Sequence, residues 1–237
     1  MYKETVIIIP TYNEKANIEE LINLIFSVNK DLKILFVDDN SPDGTGKLIK
    51  KIQKENKNIY LLLEAEKKGL GVAYKKGFIY AIKILKAQYI IQMDADLSHN
   101  PKYIKELIGQ IKTSDVVIGS RYILGGSIPK DWGIHRKLIS NFGNALTKIV
   151  LKIPIKDCTS GFKIIRTEKL PMTFIKNIQS NGYLFQVELL YFLYKRECQI
   201  KEIPIEFKDR VSGTSKMKLN DIFEYFTNLL KIKRKYK

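Results

Sequence analysis

The chain has 237 residues, 45% of them hydrophobic and 28% charged, which supports a buried core and excludes a largely disordered chain. Its 41 Lys and Arg against 25 Asp and Glu give a formal net charge of +16, which implies either an anionic partner or a generally lysine-rich, solvated surface. The two cysteines, Cys158 and Cys198, form no CxxC and fit a reducing, cytosol-facing compartment. No segment approaches the ~20 apolar residues of a membrane-spanning helix. The start, MYKETVIIIP, has too short an apolar run for a signal peptide and no cleavage pattern.

In chain order, TVIII is a short β-branched run ending at Pro10 and predicts a buried strand. KANIEELINLIFSV places apolar residues at helical spacing. KILFV is a second strand, GTGKLIKKIQKE a helix and NIYLLL a third strand. GVAYKKGFIYAIKIL is a helix and AQYIIQM a fourth strand. NPKYIKELIGQIK is a helix with Pro101 in its first turn, followed by a fifth strand, DVVIG. This alternation predicts a largely parallel sheet covered by helices. The second half is less regular. HRKLISNFGNALTKIVL and GYLFQVELLYFLYKRE read as helices, DCTSGFKIIR as a turn into a strand, and QIKEIPIEF as a strand. With no repeat and no low-complexity linker, residues 1–237 read as one α/β domain.

Ligands of such sheets bind at the carboxyl ends of the strands. Polar stretches fall there four times: PTYNE, DDNSPDGT, DADLSH and SRY. In DADLSH, Asp94 and Asp96 flank Ala95, and alternate side chains of an extended segment point the same way. Such a pair suits a Mg2+ or Mn2+ shared with substrate phosphates. The same Asp, Ser and Asn residues also suit a turn and a helix cap. Other chemistries find little support. GLGVAYKKG does not match GxGxxG, and GTGK lacks the P-loop spacing. His99, His135 and the lone cysteines make no zinc site, no GxSxG is present, and His99 reads as structural. A nucleic-acid-binding module would use the positive charge, but no RNP-like or recognition-helix pattern occurs. Arg121, Arg136, Arg210 and Lys216 fall in or next to loops, where they could reach phosphates or remain solvated. The last segment, 219–237, is amphipathic with a basic end, KIKRKYK. It fits either a helix on an anionic bilayer surface or a core-packed helix with a basic tail.

Taken together and in order, IIIPTYNE, FVDDNSPDGT, KKGLGVAYKKGF, MDADLSHNP, GSRYILGGSI, TSGFK, GYLFQVELL and EIPIEFKDRVSGTSK resemble the dolichyl-phosphate (polyprenyl-phosphate) mannosyltransferases. These are inverting family-2 glycosyltransferases with the GT-A fold, and the resemblance spans nearly the whole chain. The QxxRW motif of processive synthases is absent, and the chain resembles the short form of the family, without the C-terminal transmembrane helices of some relatives.

The resemblance implies a mostly parallel central sheet with helices on both faces and a nucleotide-sugar site at the carboxyl strand ends. It implies transfer of mannose from GDP-mannose to a dolichyl or polyprenyl monophosphate, with Mg2+ or Mn2+ as cofactor. The alternative is the same fold moving glucose or another sugar from a UDP-sugar. Pro10, Tyr12, Glu14, Val37 and Asp39 would hold the nucleotide, and Asp94, Ala95 and Asp96 the diphosphate and metal. Glu188, Arg210 and Lys216 would face the sugar nucleotide. Arg121, Arg136 and Ser140 would receive the lipid phosphate. Asp96, Arg121, Arg136 and Arg210 would carry the catalysis. Some relatives have Gln where Ser98 stands, so a hydroxyl or a water would complete the metal site here. Expected partners are the lipid acceptor, a membrane surface and small membrane-anchoring subunits, with no nucleic acid. The expected location is peripheral, on the cytoplasmic side of the endoplasmic reticulum or of a prokaryotic plasma membrane.

Overall fold

The computed structural model describes residues 1–129, 134–208 and 219–236, with side chains described except at 134–139 and 219–223. Strands β1 (Thr5–Thr11), β2 (Lys33–Asp38), β3 (Ile59–Leu63) and β4 (Tyr89–Gln92) alternate with helices α1 (Ile18–Val28), α2 (Thr45–Glu55) and α3 (Leu70–Lys83). Helix α4 (Ile104–Gln110), β5 (Val116–Ser120), α5 (Ile134–Leu151) and β6 (Lys163–Arg166) follow. The chain continues through α6 (Met172–Asn177), α7 (Gly182–Lys195), β7 (Ile200–Pro204) and α8 (Leu219–Lys235).

The strands form one sheet in the order β3-β2-β1-β4-β6-β5-β7. Along β1, Val6 and Ile8 enter one apolar core while Ile7 and Ile9 enter the other. Both faces of the sheet are therefore covered, which is why its strands read as unbroken apolar runs rather than alternating ones. The first core is closed by α3, α5, α6, α7 and α8, the second by α1, α2 and α4.

The sheet is mixed. β1–β2, β1–β4, β2–β3 and β5–β7 pair in parallel, whereas β6 runs antiparallel to both β4 and β5. The segment before β6 thus reaches the carboxyl edge of the sheet from the start of a strand. β2 and β4 lie on opposite sides of β1, so the strand order reverses between β1 and β4, the position where open α/β sheets leave a crevice.

The apolar stripe of α8 is used inside the protein. Tyr225, Leu229 and Ile232 are buried in the first core, and the Tyr225 hydroxyl lies 2.7 Å from Thr147 Oγ1 on α5. Lys235 and Tyr236 fold back onto Glu188 of α7. Of the two readings of this segment, the core-packed helix describes residues 224–236.

Candidate active site

Each loop at the carboxyl edge of β1, β2 and β4 contains a residue in the left-handed backbone region: Asn13 (φ 60), Asn40 (φ 59) and Leu97 (φ 61). Asn adopts this conformation at little cost, but for Leu97 it is strained, and such strain concentrates at functional loops. The turn at Leu97 brings Ser98 back to Asp96, whose Oδ1 accepts from the Ser98 N–H at 3.1 Å and its hydroxyl at 2.6 Å. Ser98 is fully buried. Its hydroxyl proton is donated to Asp96, so the residue expected as a third metal ligand orients an aspartate instead.

The Asp94 side chain is 29% exposed and Asp96 is 8% exposed. His99 fixes this loop from below. Its Nδ1 accepts the Asp94 N–H at 3.1 Å, and its ring stacks on Phe162 with centroids 5.1 Å apart. Nδ1 is therefore an acceptor, and burial pulls the His99 pKa below its ordinary value despite Asp94 and Asp96. The ring is neutral, and its 3.8 Å approach to the Asp94 carboxylate is not an ion pair. Gly161 faces the same loop. A Cβ there would sit 3.4 Å from Asp94 Oδ1 and 3.3 Å from His99 Cε1, tighter than side chains normally pack.

Two hard carboxylates at an open strand end suit Mg2+ or Mn2+ completed by phosphate oxygens and water. Among the described residues, no group of three or more His, Cys, Asp or Glu is arranged to hold a metal.

At the end of β5, Arg121 is committed to Asp157. Its Nε and Nη2 donate to the carboxylate at 2.8 and 2.7 Å, and Nη2 also donates to Thr159 Oγ1 at 2.9 Å. Burial opposes the Arg121 charge, but Asp157 outweighs it and holds the guanidinium protonated above its ordinary range. The Arg121 side chain is 10% exposed, so its pairing leaves mainly the Nη1 side for a phosphate. Ser140 is nearby through Tyr122, whose hydroxyl lies 2.7 Å from Ser140 Oγ and whose ring lies 5.3 Å from the Arg121 guanidinium. The structure thus brings Arg121 and Ser140 together. The Arg136 side chain, Arg210 and Lys216 lie outside the described residues.

The residues expected at the nucleotide divide. Pro10, Tyr12 and Glu14 line the end of β1 on its β2 side, Pro10 paired with Val37 and the Glu14 N–H donating to Thr45 Oγ1 at 3.0 Å, with the Lys67 ammonium 3.5 Å over the Tyr12 ring. Val37 is fully buried between Pro10 and Leu62 in the sheet, so its side chain cannot meet a ligand there. Both Asp39 carboxylate oxygens accept backbone N–H groups, from Lys68 and Gly69 at 2.7 Å each. Asp39 thereby fastens the start of α3. The GLG run that failed the dinucleotide pattern has a packing reason: a Cβ on Gly71 would fall 2.4 Å from the Ser180 carbonyl. Glu188, expected at the sugar nucleotide, accepts from the Ser180 N–H, the Lys235 ammonium and the Tyr236 hydroxyl instead. Ala95 is buried between the two aspartates.

Sequence reasoning missed Asp157 and Lys163. Asp157 lies 36 residues from Arg121 and is tied down by its N–H to Glu202 at 3.0 Å. Lys163 is buried and donates to Gln186 Oε1 at 2.9 Å. The only available signal was their position on either side of the TSGF turn. Burial pushes the Cys158 thiol up to about 12, which makes it inert.

Residues 6–171 match the model of the family described as Glycosyl transferase family 2. The chain belongs to that family. This family-2 glycosyltransferase is 33% identical over 224 residues to a polyprenol monophosphomannose synthase of Mycolicibacterium smegmatis, covering 94% of this chain and 84% of that protein. It is 34% identical over 222 residues to an undecaprenyl-phosphate mannosyltransferase of Micrococcus luteus, covering 94% and 90%. The glycosyltransferase also shares its fold with solved structures. A glucosyl-3-phosphoglycerate synthase of Mycobacterium tuberculosis, in complex with Mn2+ and UDP, matches with a TM-score of 0.66 at 15% identity, covering 98% of this chain and 79% of that one. A mannosyltransferase of Pyrobaculum calidifontis, in complex with GDP-Man and Mn2+, matches with a TM-score of 0.59 at 18% identity, covering 88% and 57%.

Proposed function

We propose that this enzyme transfers mannose from GDP-mannose to a polyprenyl or dolichyl monophosphate, with inversion at the anomeric carbon, at a membrane surface. The observation that carries the reading is the placement of Asp94 and Asp96 at the β1/β4 crevice of a family-2 glycosyltransferase whose one-third-identical relatives are named for mannosyl transfer to polyprenyl phosphates. Asp94 and Asp96 would hold Mg2+ or Mn2+, which when bound neutralises charge on the departing diphosphate. Pro10, Tyr12 and Glu14 would border the nucleotide. Arg210 and Lys216 would face its phosphates, and Arg121, Arg136 and Ser140 the acceptor phosphate.

The acceptor is already anionic at neutral pH. One phosphate oxygen forms a bond to the mannose anomeric carbon while the bond to the diphosphate breaks and its electron pair leaves with GDP. No strong base is required, in keeping with a His99 that is buried, neutral and engaged through Nδ1. The work of the protein is to bring two anions together and hold them in line. Arg121, kept charged by Asp157, supplies fixed positive charge beside Ser140.

Phe142 (51% exposed) and Ile149 (74% exposed) lie seven residues apart on one outward face of α5, away from the inward face that carries Ser140, Asn144 and Thr147. No helix among the described residues is long and apolar enough to cross a membrane. A peripheral approach on the cytoplasmic side, with α5 toward the lipid, fits both observations. Small anchoring subunits would act at the same surface. A panel of labelled GDP-mannose and UDP-glucose with polyprenyl phosphate tests the donor: mannosyl lipid supports the reading, and glucosyl lipid alone would establish the UDP-sugar alternative.

A further inference from the structure

A buried polar cluster underlies the acidic loop on the α3/α7 side of the sheet. Gln92 on β4 and Lys163 on β6 are directly opposite in the antiparallel ladder. Past the last ladder pair, Gly161 lies against Asp94, its Cβ position 3.4 Å from Asp94 Oδ1. Lys163 follows Gly161 by two residues, and the Asp94 carboxylate acts on its ammonium. Tyr74 from α3 and Gln186 from α7 close the cluster.

All four side chains are buried. The Lys163 ammonium has one described partner, Gln186 Oε1. The Tyr74 hydroxyl faces the Gln186 side chain and the Met93 backbone. The cluster itself contains no carboxylate, and the carboxylates acting on the Lys163 ammonium are Asp157 and Asp94. Asp157 is already paired with Arg121.

We propose that Lys163 is a positioning residue that places a positive charge near Asp94, weakening the hold on a free divalent cation and favouring a cation that arrives with a diphosphate. This rests on the reading of Asp94 and Asp96 as the cation-holding pair. The charge repels a lone Mn2+ and attracts the phosphates that accompany it, so cation and nucleotide bind cooperatively. Burial lowers the Lys163 pKa to about 7, so the charge is present in slightly acidic buffer.

The test measures Mn2+ binding to the full chain by electron paramagnetic resonance at pH 6.5, with and without GDP. Wild type is expected to bind Mn2+ more tightly with GDP present. Lys163→Met is expected to tighten binding of Mn2+ alone and to shrink the GDP-dependent gap by about fivefold or more. Lys163→Arg, which keeps the charge, is expected to keep the gap. If Lys163→Met does not fold, the double variant Lys163→Met/Gln186→Leu replaces the buried pair with apolar groups of similar size and answers the same question. A gap unchanged in the methionine variants, or reduced equally by Met and Arg, overturns the inference. Wild type that binds Mn2+ in neither condition overturns the clamp reading itself, and this inference with it.

Discussion

Removing the last three residues should destabilise the fold strongly, because they satisfy a buried carboxylate. Glu188 is almost fully buried on α7. Its Oε1 accepts from Lys235 Nζ and from the Tyr236 hydroxyl, both at 2.7 Å, while Oε2 accepts from the Ser180 N–H at 3.1 Å. Truncation after Arg234 deletes the first two. It also removes the Tyr236 ring from its contacts with Phe174, Tyr191 and Phe192, at centroid distances of 6.1, 6.4 and 5.6 Å. Leaving one member of a buried charged pair uncompensated costs about 3–5 kcal/mol. Lys235 is about one-third exposed, so its own charge contributes less, and about 3 kcal/mol is the reasonable expectation for the whole truncation. For a chain of this size that lowers Tm by about 6–12 °C.

The difference should depend on pH with a definite sign. Burial raises the Glu188 pKa, but its hydrogen bonds and Lys235 outweigh that and hold it below the ordinary value. Its contribution is therefore present above the unfolded pKa of about 4.3 and lost as pH falls through the lower folded value. Wild type and truncation should differ most at pH 7, and the gap should narrow in strong acid to what the Tyr236 ring contacts contribute. Differential scanning calorimetry or urea unfolding across pH measures this. A truncated chain with wild-type Tm at pH 7 would refute the clasp.

Asp96→Ala should reduce transfer by more than ~100-fold, with Tm within a few degrees of wild type because the Ser98 bonds it loses lie within one local turn; near-normal turnover would remove Asp96 from the reaction. Asp157→Asn weakens the carboxylate partner of a buried guanidinium and should cost about 3 kcal/mol in urea unfolding, together with a raised KM for the lipid phosphate; unchanged stability would mean that Arg121 is satisfied elsewhere. Phe142→Asp/Ile149→Asp should weaken binding to vesicles containing anionic lipid and leave turnover of a short-chain acceptor in detergent unchanged, as measured by flotation and product assay. Equal vesicle binding would take α5 away from the membrane.

The first half of the fold was legible because β-branched runs and 3.6-residue periodicity alternate cleanly through Ser120, and each strand ends in polar residues. The direction of β6 was not. Ile164 and Ile165 read as a strand in either orientation, and only pairing with β4 and β5 makes it antiparallel. The α8 stripe of Tyr225, Leu229 and Ile232 was ambiguous for a similar reason, since a core and a bilayer demand the same apolar face. Asp94 and Asp96 stood out because two carboxylates closed an apolar strand. Asp39 entered through the resemblance as a nucleotide residue, and its carboxylate holds two backbone N–H groups. Local sequence cannot separate an aspartate that fastens a loop from one that faces a substrate. Arg121 read as either phosphate-binding or solvated, because its partner, Asp157, arrives from a distant turn. Lys163 carried no warning, as a lysine at a strand start is ordinarily solvated.

The most direct test is product formation by the purified chain from labelled GDP-mannose and polyprenyl phosphate, with and without Mn2+ or Mg2+. A mannosyl lipid phosphate of β configuration that forms only with the divalent cation is the predicted result. No mannosyl lipid under any condition, with sugar transferred from a UDP-sugar instead, would contradict it.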